Sequence, residues 1–84
     1  MSITDDIEQR LVSRFEDAEH LGVSMEGNHL SVTLAWRGFD GMMPVKRQQA
    51  VYALLNDYIA SGEVHAVHMS LFSPAQWAKA KHFV

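Results

Sequence analysis

The chain has 84 residues, enough for one domain (1–84) and not two. Hydrophobic residues make up 48%, the formal charge at pH 7 is -3 and cysteine is absent. A disulfide framework, a thiol nucleophile and a metal site built from the chain's own thiolates are thereby excluded. The overall basic surplus usual in nucleic-acid binders is missing too, although a local basic patch is not excluded.

The first residues, Met1-Ser2-Ile3-Thr4-Asp5-Asp6, lack the basic and apolar regions of a signal peptide. No apolar run approaches the length of a membrane span. A soluble, cytoplasmic protein is therefore expected.

Ile3, Ile7, Leu11, Phe15 and Ala18 recur at helical spacing and predict a helix over 3–18. Ser2 or Thr4 can cap it, and Asp5 and Asp6 suit its positive end. The period then changes to two. Leu21, Val23 and Met25 predict a strand, Glu26-Gly27-Asn28 a turn, and Leu30, Val32, Leu34 and Trp36 a second strand paired with the first as a hairpin.

Two glycines and Pro44 mark 38–44 as a loop. Val51, Leu54, Leu55, Tyr58 and Ile59 predict a second helix over 45–60, closed by Gly62, with Tyr52 and Tyr58 in the core. Residues 64–72 form the third strand. Ser73-Pro74-Ala75-Gln76 then supplies an N-cap, a helix-opening proline and a capping-box glutamine. The final helix carries Trp77, expected to anchor it on the core, with Lys79, Lys81 and His82 near its end. Strand two, helix two and strand three make a βαβ unit. Its strands pair in parallel with a right-handed crossover, and the helices cover one sheet face.

Of the five histidines, His20 and His82 are expected at the surface. His65 and His68 lie three apart on a strand and so point to opposite faces, which opposes a shared ion. His29 opens strand two and His65 opens strand three. In a parallel pair both would stand at one sheet edge, where they are either metal ligands or solvated side chains. Lys46 and Arg47, at the start of helix two, are a small basic cluster: a phosphate or acidic-partner contact, or a solvated helix face. No nucleophile–base pair and no phosphate-cradling glycine motif occur.

Phe39-Asp40-Gly41-Met42, then Val45 to Tyr52, Val64-His65-Ala66-Val67 and Ser73-Pro74-Ala75-Gln76-Trp77-Ala78 resemble the BolA family over nearly the whole chain. The Gly27-Asn28-His29-Leu30 turn and the Lys46-Arg47-Gln48-Gln49 run are closer to its IbaG/YrbA-type branch. The resemblance implies an α+β, class II KH-like (BolA-like) domain of αββαβ order with a short C-terminal helix and a three-stranded mixed sheet. It implies a non-enzymatic protein that partners a monothiol glutaredoxin and shares a glutathione-ligated [2Fe-2S] cluster with it. The family's strand-three histidine maps onto His65, and the second ligand, from the loop between the first two strands, maps onto His29. Imidazole in place of thiolate on one iron raises the reduction potential. We expect His65 to matter more than His29, because a strand holds a ligand better than a turn does. The KH-like fold also raises a nucleic-acid-binding transcriptional regulator as the alternative, with Lys46 and Arg47 as contacts. No GXXG loop of the kind used by nucleic-acid-binding KH domains is expected between helices here.

Overall fold

The computed structural model describes residues 2–81, so His82 lies outside the described residues. The elements are α1 (Ile3–Arg14), β1 (His20–Glu26), β2 (His29–Ala35), a single 3₁₀ turn at Arg37–Phe39, α2 (Pro44–Tyr52), α3 (Asn56–Ser61), β3 (Ala66–Phe72) and α4 (Pro74–Ala80). The α+β architecture and its element order follow the expectation, with helix two divided.

The sheet order is β1-β2-β3. β1 and β2 are antiparallel, with Glu26 opposite His29 across a two-residue turn. Gly27 opens that turn at φ 62, a left-handed conformation that glycine adopts without steric cost. β2 and β3 are parallel, with His29 opposite Ala66 and Ala35 opposite Phe72.

Alternation along the strands sends Leu30, Val32 and Leu34 to one face. There they form one core with Ile7 and Leu11 from α1, Phe15 at its C-cap, Phe39, and Val51 from α2, closed by Leu55 and Val64. The opposite face carries Ser24, Ser31, His68 and their neighbours, and among the described residues no helix is laid along its length.

Helix one ends at Arg14, earlier than its apolar spacing suggests. Asp17 then takes a left-handed φ of 69, turning the chain toward β1. Ser2 is the N-cap: its Oγ accepts from the Asp5 N–H at 3.1 Å.

Helix two is broken, although neither glycine nor proline marks the break. The Leu54 and Leu55 N–H groups bond three residues back, to Val51 and Tyr52, and the helix restarts when the Ile59 N–H bonds to Leu55. The Leu54 carbonyl accepts from Arg10 Nη1 at 2.9 Å, so a cation from α1 satisfies it. Arg10 also grips Asp57 through both guanidinium nitrogens and pairs with Asp6, whose carboxylate accepts from the Tyr58 hydroxyl. Tyr58 thus joins α3 to α1. Tyr52, expected in the core, is exposed.

The Ser73–Gln76 capping box forms as expected and starts α4. Trp77 does not enter the main core. It stacks on His20 at 4.5 Å and meets Phe72 at 5.6 Å. His20, Ala35 and Phe72 form one row on the otherwise helix-free face. Ala35, between the two aromatic partners, is fully buried. Trp77 therefore ties α4 to the end of that face, and the other described residues leave the remainder uncovered.

Candidate functional site

The parallel register fixes the site. His29 is the first residue of β2 and is paired on both sides, with Glu26 and Ala66. His65 lies one residue before β3, and its N–H donates to the Asn28 carbonyl at 2.9 Å. The two histidines are thus on neighbouring backbone segments at one sheet edge, and both are solvent-exposed.

Their side chains are set differently. His29 lies on the helix-free face with Glu26 and Ala66. His65 has the opposite parity, and its ring reaches back toward the end of α3: a Cβ added at Gly62 would stand 3.8 Å from His65 Nε2. The helix-free face also carries His68, in the next row beside Ser31 and Ser24. A shallow depression of about 600 Å³ is lined by Ser24, Glu26, His29, Ser31, Ala66 and His68, and His65 is outside it. His68 is the neighbour of His29 that strand periodicity could have revealed, had the register been known: it is two residues beyond the partner of His29.

The rigidity ranking loses its premise. His29 is held by two strands, whereas His65 sits just outside one. Among the described residues, no group of three or more His, Cys, Asp or Glu side chains is placed to hold a metal ion. The described residues at this edge thus present imidazoles without a complete set of metal ligands of their own.

The basic cluster resolves into two different residues. Lys46 is exposed on the first turn of α2. Arg47, expected as a surface contact for phosphate, is only 8% exposed. Its Nε donates to the Met42 carbonyl at 3.0 Å, and its Nη1 donates to the Leu71 carbonyl at 3.2 Å and to Gln76 Oε1 at 2.6 Å. Its guanidinium also lies 5.7 Å from the Phe39 ring centre. It fastens the 39–43 loop, β3 and α4 together and is not free to meet a phosphate. This corrects the nucleic-acid assignment at Arg47.

No helix among the described residues is long and apolar enough to cross a membrane. The BolA-like protein family model matches residues 8–76. The acid stress protein IbaG of Escherichia coli K12 is 43% identical over 61 residues, covering 73% of each chain. A DNA-binding transcriptional regulator BolA of Haemophilus influenzae is 31% identical over 86 residues, covering 92% of this chain and 82% of that one. BolA1 from Arabidopsis thaliana superposes with a TM-score of 0.81 at 24% identity, over 90% of this chain and 96% of that one, a likeness of fold. The loop, helix and strand motifs, the αββαβ order and these matches agree, and the chain belongs to the BolA-like family.

Proposed function

We propose that this protein is a non-enzymatic partner of a monothiol glutaredoxin and helps bind or hand over a glutathione-ligated [2Fe-2S] cluster. The observation that carries the proposal is the juxtaposition of the β2 and β3 starts, which brings His29 and His65 to one exposed edge. The chain has no cysteine, so imidazole is its natural iron ligand. The partner's cysteine and glutathione supply the thiolates. The cluster is cargo, held between two proteins, and this chain contributes the nitrogen side of it.

Mixing the protein with a cluster-loaded monothiol glutaredoxin tests the proposal by visible absorption and size. A 1:1 complex with an altered spectrum is expected, and absence of any complex refutes it. His65→Ala should shift that spectrum and speed cluster loss while circular dichroism of the apo protein stays native, because the side chain is exposed. Wild-type cluster behaviour in His65→Ala refutes the ligand assignment, and an unfolded His65→Ala makes the residue structural.

The second reading, a nucleic-acid-binding regulator, is favoured by the likeness to the Haemophilus protein. It now rests on Lys46, since Arg47 is spent inside the fold. It predicts DNA binding that weakens steeply with salt and falls in Lys46→Glu.

A further inference from the structure

The outer edge of β3 has a pattern of its own. The Ala66 N–H bonds to Asn28, and the Trp36 N–H bonds to the Phe72 carbonyl, so even-numbered residues of β3 turn their peptide groups toward β2. Val67, Met69 and Leu71 therefore turn theirs outward. Arg47 Nη1 covers the Leu71 carbonyl. Among the described residues nothing hydrogen-bonds the outward N–H and C=O groups of Val67 and Met69. An uncovered strand edge is a template for another strand.

The charged residues of β3, α2 and α4, which form or border this edge, are basic. α2 and α4 pack against β3 and border the edge, while β1 closes the sheet at the far side. From 41 to 56 and from 64 to 81 the sequence contains Lys46, Arg47, Lys79 and Lys81 and no aspartate or glutamate. This asymmetry occurs in a chain whose net charge is -3, so the acids are gathered elsewhere. Of the acids beside these intervals, Asp57 is engaged by Arg10 and Glu63 accepts from Ser61, while Asp40 is exposed in the loop ahead of Met42 and Met43. A groove of about 200 Å³ runs beside the edge, lined by Pro44, Arg47, Gln48, Met69, Leu71 and Gln76. Met43 and Val45, on either side of Pro44 in the chain, are 69% and 52% exposed.

We infer that the outer edge of β3 is a strand-addition site for an extended acidic segment of a partner protein. The segment's backbone would pair with Val67 and Met69, its carboxylates would meet Lys46, Lys79 and Lys81, and alternate apolar side chains would meet Met43 and Val45. A second copy of this chain fits less well, because edge-to-edge pairing would bring the lysines of two copies together. The inference does not depend on iron binding, although His65 at the start of β3 would lie beside a partner seated here.

The probe is a capped peptide of alternating valine and glutamate, with a valine–lysine peptide as control, added to the isotope-labelled full chain without cluster or glutaredoxin. With nine-tenths of the sites filled, amide exchange at Val67 and Met69 should slow about tenfold, because only the unbound fraction exchanges. The same amides should show the largest shift changes, and the lysine peptide should leave them unmoved. Lys46→Glu combined with Lys79→Glu should weaken binding at least tenfold with a native spectrum retained. Unaltered exchange at millimolar valine–glutamate peptide overturns the inference. So does equal protection by the lysine peptide, protection that grows with protein concentration alone, or stronger protection by single-stranded DNA.

Discussion

Replacing Arg47 by alanine is the sharpest test of how this fold is held. The guanidinium reaches three acceptors on three segments: Met42 in the loop, Leu71 in β3 and Gln76 in α4. A hydrogen bond involving a charged group contributes about 1.5–3 kcal/mol, and bonds from one side chain do not add in full. Gln76 is exposed and keeps its bond to the Ser73 N–H at 3.0 Å, so its loss is partly made good. The two carbonyls are half-buried, and water reaches them imperfectly. A net loss of about 3 kcal/mol follows. For a domain of this size each kcal/mol moves Tm by about 4–8 °C, so Arg47→Ala should melt about 12–24 °C lower. Total stabilities of such domains are about 4–13 kcal/mol, which makes this a severe lesion. Arg47→Lys keeps the charge without the planar fork and should fall between the two. Lys46→Ala, one residue away and exposed, should change stability by less than about 0.5 kcal/mol. Thermal melts and urea titrations of the four proteins measure these differences. An Arg47→Ala variant within about 1 kcal/mol of wild type would refute the assignment of Arg47 to the frame.

Two further perturbations probe other joints. Hydrogen bonds from Arg10 hold the Asp57 carboxyl at about 2, below its ordinary 3.8. The depressed value means that this pair stabilises the fold above about pH 4 and that the contribution disappears as pH falls through 2. The difference in urea midpoint between wild type and Asp57→Asn should therefore shrink from pH 5 to pH 2, and parallel curves would disprove the pairing in solution. At Gly38 an added methyl would lie 2.2 Å from the Trp36 ring. That ring is pinned edge-on by Phe15 at 5.0 Å and Phe39 at 5.2 Å, and its Nε1–H donates to the Glu16 carbonyl. Gly38→Ala should cost about 1–3 kcal/mol and alter the near-ultraviolet dichroism, whereas an unchanged melt would show that the ring moves aside freely.

What could be read from the chain was whatever local chemistry decides. Period-two patterns found β1 and β2, the Ser73–Gln76 pair found the start of α4, and the hairpin turn placed His29 at the head of its strand. The break in helix two escaped, because its stabilising partner is Arg10, more than forty residues away, and the local sequence has no breaker. Arg47 was misread for a related reason. A lysine–arginine pair at a helix start looks like one patch, yet successive helical residues are about 100° apart and face different surroundings. One residue is solvated and its neighbour is the pin of three segments.

The histidines expose the same limit at finer scale. Parity alone separates His65 from His68, and that separation held. Parity cannot say which histidine shares a face with His29, because that depends on the stagger between β2 and β3. The stagger sets His29 against Ala66, which puts His68 on its face and His65 beside its backbone. A one-residue slip would have reversed the two roles. The start of β3 thus presents imidazoles in two directions, His65 beside the end of α3 and His68 across the open sheet. A partner approaching this edge meets His65 without crossing the face that His68 and His29 line. Under the proposed function, the side from which the partner docks would decide which imidazole the cluster meets.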